Sequence, residues 1–219
     1  MSRDGAFVSP LNIPGWRDFP LRARLTSLTA LPTWVDNDAK ALVLGEGWVG
    51  GAVGCPDYLS MVVSTGVGGG IVLGGHLLDG RLGNAGHIGH VIVEPDGRQC
   101  PCGGRGCLEA EASGPAIAAI TGRPAAQAEP DVIERAGRLT GRAVASVANL
   151  LDLQLATVAG SVALGFGRPF FEAAQSELSA RARLAFSSEC RVLPSPLGAA
   201  GPLIGAAAVA WRGLSESRP

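Results

Sequence analysis

Gly86-His87-Ile88-Gly89-His90-Val91-Ile92-Val93-Glu94-Pro95-Asp96-Gly97-Arg98-Gln99-Cys100-Pro101-Cys102-Gly103-Gly104-Arg105-Gly106-Cys107-Leu108-Glu109 is the stretch on which the reading of this chain turns. It contains His90-x9-Cys100-x-Cys102-x4-Cys107. Three thiols and one imidazole at this spacing make a donor set that suits tetrahedral zinc. The glycines at 103, 104 and 106 fall where a loop must fold tightly around an ion. Four protein ligands leave no open position for water, so such a zinc is structural, fixing the loop and a strand expected over His90–Val93. A loop of free buried thiols is the plainer alternative. The chain has five cysteines, an odd number, with three of them inside eight residues. That pattern speaks against a disulfide framework and for a metal site in a reducing, cytoplasmic setting. Cys55 and Cys190 read as ordinary buried residues.

Three other clusters flank this one. His87 sits three residues before His90, and Glu109 two after Cys107. Four zinc donors are already supplied, which leaves His87 for another role. Glu109 fits either a sugar hydroxyl pair or a solvent-facing position at a helix start. Ser64-Thr65-Gly66-Val67-Gly68-Gly69-Gly70 offers backbone N–H groups that no side chain screens, as phosphate binding needs, though many hairpins carry such glycines. Asn37-Asp38 opens an expected helix, which either residue could cap. Asp38 is either its N-cap or the acceptor of a substrate proton, with Asn37 orienting the substrate. Nothing local decides between the two.

Of the 219 residues 47% are hydrophobic, so a substantial core can form. The net charge of −1 gives no basic excess to attract nucleic acid. The apolar run 144–162 is interrupted by Asn149, Asp152 and Gln154 and does not read as a membrane span. The first residues lack the charged-then-apolar pattern of a signal peptide, so a cytoplasmic location is expected. Apolar spacing predicts helices over 21–28, 38–48, 108–120, 131–151, 168–183 and 203–214. Strands are expected over 31–35, 58–64, 71–73, 90–93, 155–159 and 191–193, with glycine turns at 65–70 and 160–161 and a linker over 123–130. Mixed helices and strands indicate an α/β fold.

In order along the chain, these pieces resemble the ROK family of sugar kinases and sugar-responsive repressors. The resemblance runs from Asn12-Ile13-Pro14-Gly15-Trp16 through Asn37-Asp38-Ala39 with Glu46, the 64–70 turn, Gly86–His90 and Cys100–Glu109. It continues through Leu150-Leu151-Asp152 and Ala159-Gly160-Ser161 to the Gly205-Ala206-Ala207 helix. It implies the actin-like, ribonuclease-H-like fold, with residues 1–50 a remnant of an N-terminal lobe and 51–219 a C-terminal lobe. It further implies ATP with Mg²⁺, and a hexose or N-acylated hexosamine as substrate. Asp38 is then the general base, and Asn37, His87, His90 and Glu109 contact the sugar. Thr65, Gly66 and Gly68 form the second phosphate turn, and Gly160 lies near the adenosine. His90, Cys100, Cys102 and Cys107 hold zinc. Dimers or tetramers are also implied; a nucleic-acid or membrane partner is not.

Several positions depart from the family pattern. His87 replaces a common Glu, as in bacterial N-acetylmannosamine kinases. Lys40 stands where many members have a small or amide residue, and Ser161 replaces a usual glycine. The stretch 115–131 looks short. No Asp-x-Gly-Gly-Thr turn precedes Asn12, and Asp4-Gly5-Ala6-Phe7 reads as the tail of the missing segment, so weak or no turnover is expected of these residues alone. A sugar-sensing part of a repressor and an inactive sugar-binding remnant are the alternatives.

Overall fold

The computed structural model describes residues 1–2, 5–10 and 13–216. Asp4 and Asn12, which open two of the expected segments, lie outside them. The elements run α1 (Leu21–Thr29), α2 (Asp38–Val49), β1 (Tyr58–Val63), β2 (Val67–Leu73), β3 (His76–Leu77), α3 (Leu108–Ala112), α4 (Gly114–Thr121), α5 (Pro130–Leu151), β4 (Leu155–Ala159), α6 (Ser161–Phe166), α7 (Arg168–Arg181), β5 (Arg191–Pro194) and α8 (Gly201–Glu216). The strands form one sheet in the order β3-β2-β1-β4-β5. β1 and β2 are an antiparallel hairpin, while β1–β4 and β4–β5 are parallel.

Both faces of the sheet are covered, and the alternation along β1 shows how. Leu59, Met61 and Val63 point into the large cluster shared with Leu139, Ala143 and Val144 of α5 and Phe170 and Leu178 of α7. Tyr58, one residue out of phase, joins Val43 of α2 in a smaller cluster on the opposite face. There the Tyr58 hydroxyl donates to the Val43 carbonyl at 2.9 Å. Successive side chains of a strand face opposite sides, so this single register commits β1 to a three-layer sandwich. Buried polar groups on it are paired: Thr157 Oγ1 donates to Ser60 Oγ at 2.8 Å across β1 and β4.

Several expected boundaries move. Residues 31–35 are not a strand, because no strand among the described residues lies beside them to supply a ladder. β2 begins at Val67, not Ile71, so Gly68–Gly70 belong to the ladder, opposite Val62, Met61 and Ser60. His90 ends a 3₁₀ turn, Ile88–His90, and is not on a strand. The extended stretch after it bonds to the cysteine loop instead, with Leu108 N donating to Val91 O and Val93 N to Gly106 O. The helix expected over 108–120 breaks at Ser113, whose side chain caps α4 through Ala116 N. The linker over 123–130 contains a 3₁₀ turn, Ala125–Gln127. A short extra helix, α6, precedes α7.

Candidate functional site

The glycines of β2 place the site. A Cβ on Gly68 would stand 3.2 Å from Ala39 Cβ, and one on Gly70 2.7 Å from Val43 Cγ1, so α2 lies directly on the strand backbone. On the other face a Cβ on Gly89 would fall 2.1 Å from the Val67 carbonyl oxygen, and one on Gly86 2.6 Å from that of Gly69. A strand without side chains thus lets the α2 N-terminus and the 86–90 turn close on it from both sides. At that N-terminus Asn37 is the cap: its Oδ1 accepts from Ala39 N at 3.0 Å and Lys40 N at 3.3 Å. Asp38 Oδ1 also accepts from Ala39 N, at 2.8 Å. The carboxylate is exposed, and its second oxygen faces no protein donor among the described residues' hydrogen bonds.

Glu109, in the first turn of α3, reaches the same place. Its Oε2 accepts from Val67 N at 2.8 Å, and a Cβ on Gly66 would stand 3.0 Å from that oxygen. The tip of the hairpin is therefore a tight turn, with Ser64 N donating to Gly66 O at 2.9 Å and Thr65 exposed at its apex. Ala39, Glu109 and the turn bearing His87 and His90 all meet Val67–Gly68, with Asp38 the residue before Ala39. The His87 and His90 rings stack with centroids 6.0 Å apart.

Gly160 follows β4 with φ +100°, and a Cβ there would fall 2.3 Å from the Val63 carbonyl oxygen, so no side chain fits. Next to it, Ser161 Oγ lies 2.9 Å from Ser64 Oγ, a hydroxyl pair linking the 64–66 and 160–161 turns. Asp38 and Gly160 both line a cleft of about 590 Å³, floored by Val62 and walled by Leu21, Trp34, Leu42 and Val209. Of the anticipated residues, these two share the cleft; the others lie around Val67 or in the cysteine loop.

In that loop the ligand atoms of His90, Cys100, Cys102 and Cys107 all lie within 4.8 Å of one another. Cys102 Sγ is 3.7 Å from Cys107 Sγ, and Cys100 Sγ is 3.7 Å from His90 Nδ1. Zinc–sulfur bonds of about 2.3 Å at tetrahedral angles put sulfurs ~3.8 Å apart, so the four side chains fit that ion as they stand. The Gly104 N–H and the neighbouring Cys100 hold the exposed Cys102 thiol below its ordinary range. Burial, reinforced by hydrogen bonding with Cys102, pushes Cys107 up to about 12. A divalent cation at the centre supplies the charge that a buried thiolate there requires. The loop is braced from behind by Glu111, which is 2% exposed and accepts from Arg98 N and from Arg135.

For several neighbouring residues the partners left no mark in the sequence. Lys40 is 2% exposed, and its ammonium binds Asp79, the Gly83 carbonyl oxygen at 3.2 Å and Asp36 at 3.9 Å. Only Asp36, four residues away, is a spacing that the sequence could suggest. Glu46, fully buried, accepts from Gly51 N at 2.7 Å and from the Ser195 hydroxyl, tying the end of α2 to the segment before α8. The Ser64–Ser161 pair and the Trp34 wall likewise depend on distant segments meeting.

Comparison with known proteins gives concordant results. Residues 2–212 match the ROK family. A glucokinase of Halalkalibacterium halodurans is 42% identical over 169 residues, covering 74% of this chain and 51% of that protein. An N-acetylmannosamine kinase of Escherichia fergusonii is 40% identical over 182 residues, covering 75% and 62%. The chain therefore spans between half and two thirds of these curated relatives. Among solved structures, a ROK hexokinase from Thermus thermophilus superposes with a TM-score of 0.82 at 32% identity over 99% of this chain and 77% of that one. A ROK family glucokinase from Streptomyces griseus, in complex with glucose and AMPPNP, gives 0.80 at 29% over 94% and 77%. A ROK family transcriptional regulator, homologous to the E. coli MLC protein, gives 0.80 at 27% over 95% and 59%. The fold is that of the ROK kinases. No helix among the described residues is long and apolar enough to cross a membrane.

Proposed function

The chain belongs to the ROK family, and on that premise we propose that the protein is an ATP-dependent sugar kinase acting on a hexose or an N-acylated hexosamine. The observation that carries this reading is that Ala39, next to the exposed Asp38 carboxylate, Glu109 and the two-histidine turn all pack on Val67–Gly68, while Asp38 lines the adjoining cleft with Gly160. In the proposed reaction a sugar hydroxyl oxygen attacks the γ-phosphorus of ATP. The bond from that phosphorus to the bridging oxygen breaks, ADP leaves with the electron pair, and Asp38 takes the hydroxyl proton. Asn37, His87, His90 and Glu109 orient the sugar. The N–H groups of the Thr65–Gly66 tip face the phosphates, Gly68 in the strand behind it leaves their approach clear of a side chain, and Gly160 lies on the adenosine side. Mg²⁺, arriving with ATP, offsets phosphate charge. Zinc held by His90, Cys100, Cys102 and Cys107 fixes the wall of the sugar site and takes no part in phosphoryl transfer.

ADP release, measured with glucose, mannose, N-acetylglucosamine and N-acetylmannosamine, tests this on the protein as the cell makes it. Turnover that requires one of these sugars supports the proposal, and none with any hexose overturns it. The likeness to a ROK regulator favours a second reading, a sugar-sensing module that binds the ligand without phosphorylating it. Tight sugar binding with no sugar-dependent ADP release would select that reading.

A further inference from the structure

The segment joining β3 to the His87 turn has little to hold it in place. It contains no helix or strand from Leu78 to Ala85, and Gly80, Gly83 and Gly86 all sit at positive φ, +70°, +77° and +102°. Glycines confer freedom on such a stretch, so its position must be imposed from outside. Lys40 and Arg212, which grip the two oxygens of Asp79, impose it, and Lys40 alone also reaches Gly83. Lys40, in the first turn of α2 and two residues after Asp38, reaches across and binds both ends of the bend: the Asp79 carboxylate and the Gly83 carbonyl oxygen. Arg212 of α8 holds the other Asp79 oxygen at 3.2 Å. The Asp79 carbonyl in turn accepts from Ala85 N at 3.0 Å, and the next residue, Gly86, docks on the β2 backbone. The connection from ammonium to His87 is thus continuous.

We propose that Lys40 is a positioning residue that sets sugar affinity, clamping the 79–85 segment so that the His87 turn stands at a fixed distance from Asp38. The inference rests on the reading of this cleft as a hexose site. It makes a selective prediction: the sugar side of the reaction depends on the clamp and the nucleotide side does not. An ammonium on a flexible stem suits the task, because it can donate to Asp79 and to the Gly83 carbonyl at once while pairing with Asp36 at 3.9 Å. Methionine matches its length and packs in the same burial but donates nothing.

The test compares the natural protein with Lys40→Met by calorimetric titration of glucose and N-acetylmannosamine, by KM for sugar and for ATP, and by amide hydrogen exchange. Asp79→Asn, on the exposed side of the same contact, serves if the buried substitution fails to fold. The expected result is a loss of sugar affinity on the order of tenfold or more. The ATP KM should stay within about twofold, and exchange should be faster at 79–90 while β1 and β4 remain protected. Unchanged sugar affinity in both variants, or equal losses for sugar and ATP, overturns the assignment but leaves the hexose site standing. If the natural protein binds neither sugar, the functional reading fails and the assignment to sugar affinity falls with it; accelerated exchange at 79–90 would then still identify the clamp as a structural one.

Discussion

Asn37 and Asp38 are neighbours with different work to do, and exchanging each for a near-isostere should separate the two jobs. The helix cap belongs to Asn37, whose Oδ1 takes two of the orphan N–H groups of α2. Loss of a side-chain cap costs about 1 kcal/mol, which for a chain of this size lowers the Tm by roughly 2–4 °C. Asp38 duplicates one of those bonds, to Ala39 N, and otherwise adds only a favourable charge in the first turn. Exposed charges of that kind contribute about 0.3–1 kcal/mol. Asp38→Asn keeps the shape and the acceptor to Ala39 but cannot take a proton. It should therefore lower kcat by about 10²–10⁴, with the sugar KM little changed and the Tm shifted by no more than ~2 °C. Asn37→Ala should do the reverse in stability and mainly raise the sugar KM. Coupled ADP release and calorimetric melting on the two variants check this. Asp38→Asn retaining more than about a tenth of parental kcat would refute the general-base assignment, since acid–base catalysis contributes at least ~10².

Three further expectations follow from other parts of the molecule. Protein purified without chelator should contain about one zinc per chain by plasma emission spectroscopy, and Cys102→Ser should lose it, because the four donors form one closed site; full metal retention in that variant would refute the ligand set. Gly160→Ala, at φ +100° with the Val63 oxygen 2.3 Å from the new methyl, should destabilise by about 2–4 kcal/mol in urea unfolding. Glu177→Gln should cost about 1–2 kcal/mol at neutral pH. Burial raises the Glu177 carboxyl, but Arg181 and Arg142 more than offset it and hold it below its ordinary range. A lowered folded pKa contributes stability that is complete above the unfolded value and fades as pH falls through the folded one, so the two proteins should converge in stability under acid.

What could be read from the sequence was what local chemistry determines. The long helix α5 shows itself through apolar residues at helical spacing, though Pro130, which reads as linker, is its first residue, and α2 through a capping residue at Asn37-Asp38. The His90, Cys100, Cys102 and Cys107 cluster could be read because three of its members lie within eight residues. What escaped depends on partners far away in the chain. Residues 31–35 have the composition of a strand, but a strand exists only where another offers its ladder. The run Gly68–Gly70 looks like a turn, since glycine is poor in strands, yet six rungs of pairing with β1 hold it extended. His90 with Val91-Ile92-Val93 has the look of a strand, but the cysteine loop takes those backbone groups instead. Lys40 and Asp79 stand 39 residues apart and meet only after α2 has been laid on β2.

If the protein is the sugar kinase proposed above, the hydrogen bond between Glu109 and Val67 couples its two substrates. The amide that Glu109 holds is the rigid plane joining Gly66 to Val67, and the far edge of that plane is the Gly66 oxygen that closes the hairpin tip on Ser64 N. A hexose that recruits Glu109 for its own hydroxyls releases the plane at one edge and frees the tip at the other. Nucleotide affinity should then differ between sugar-free and sugar-bound protein, sugar affinity should change by the same factor on nucleotide binding, and initial-rate patterns should show interacting instead of independent sites.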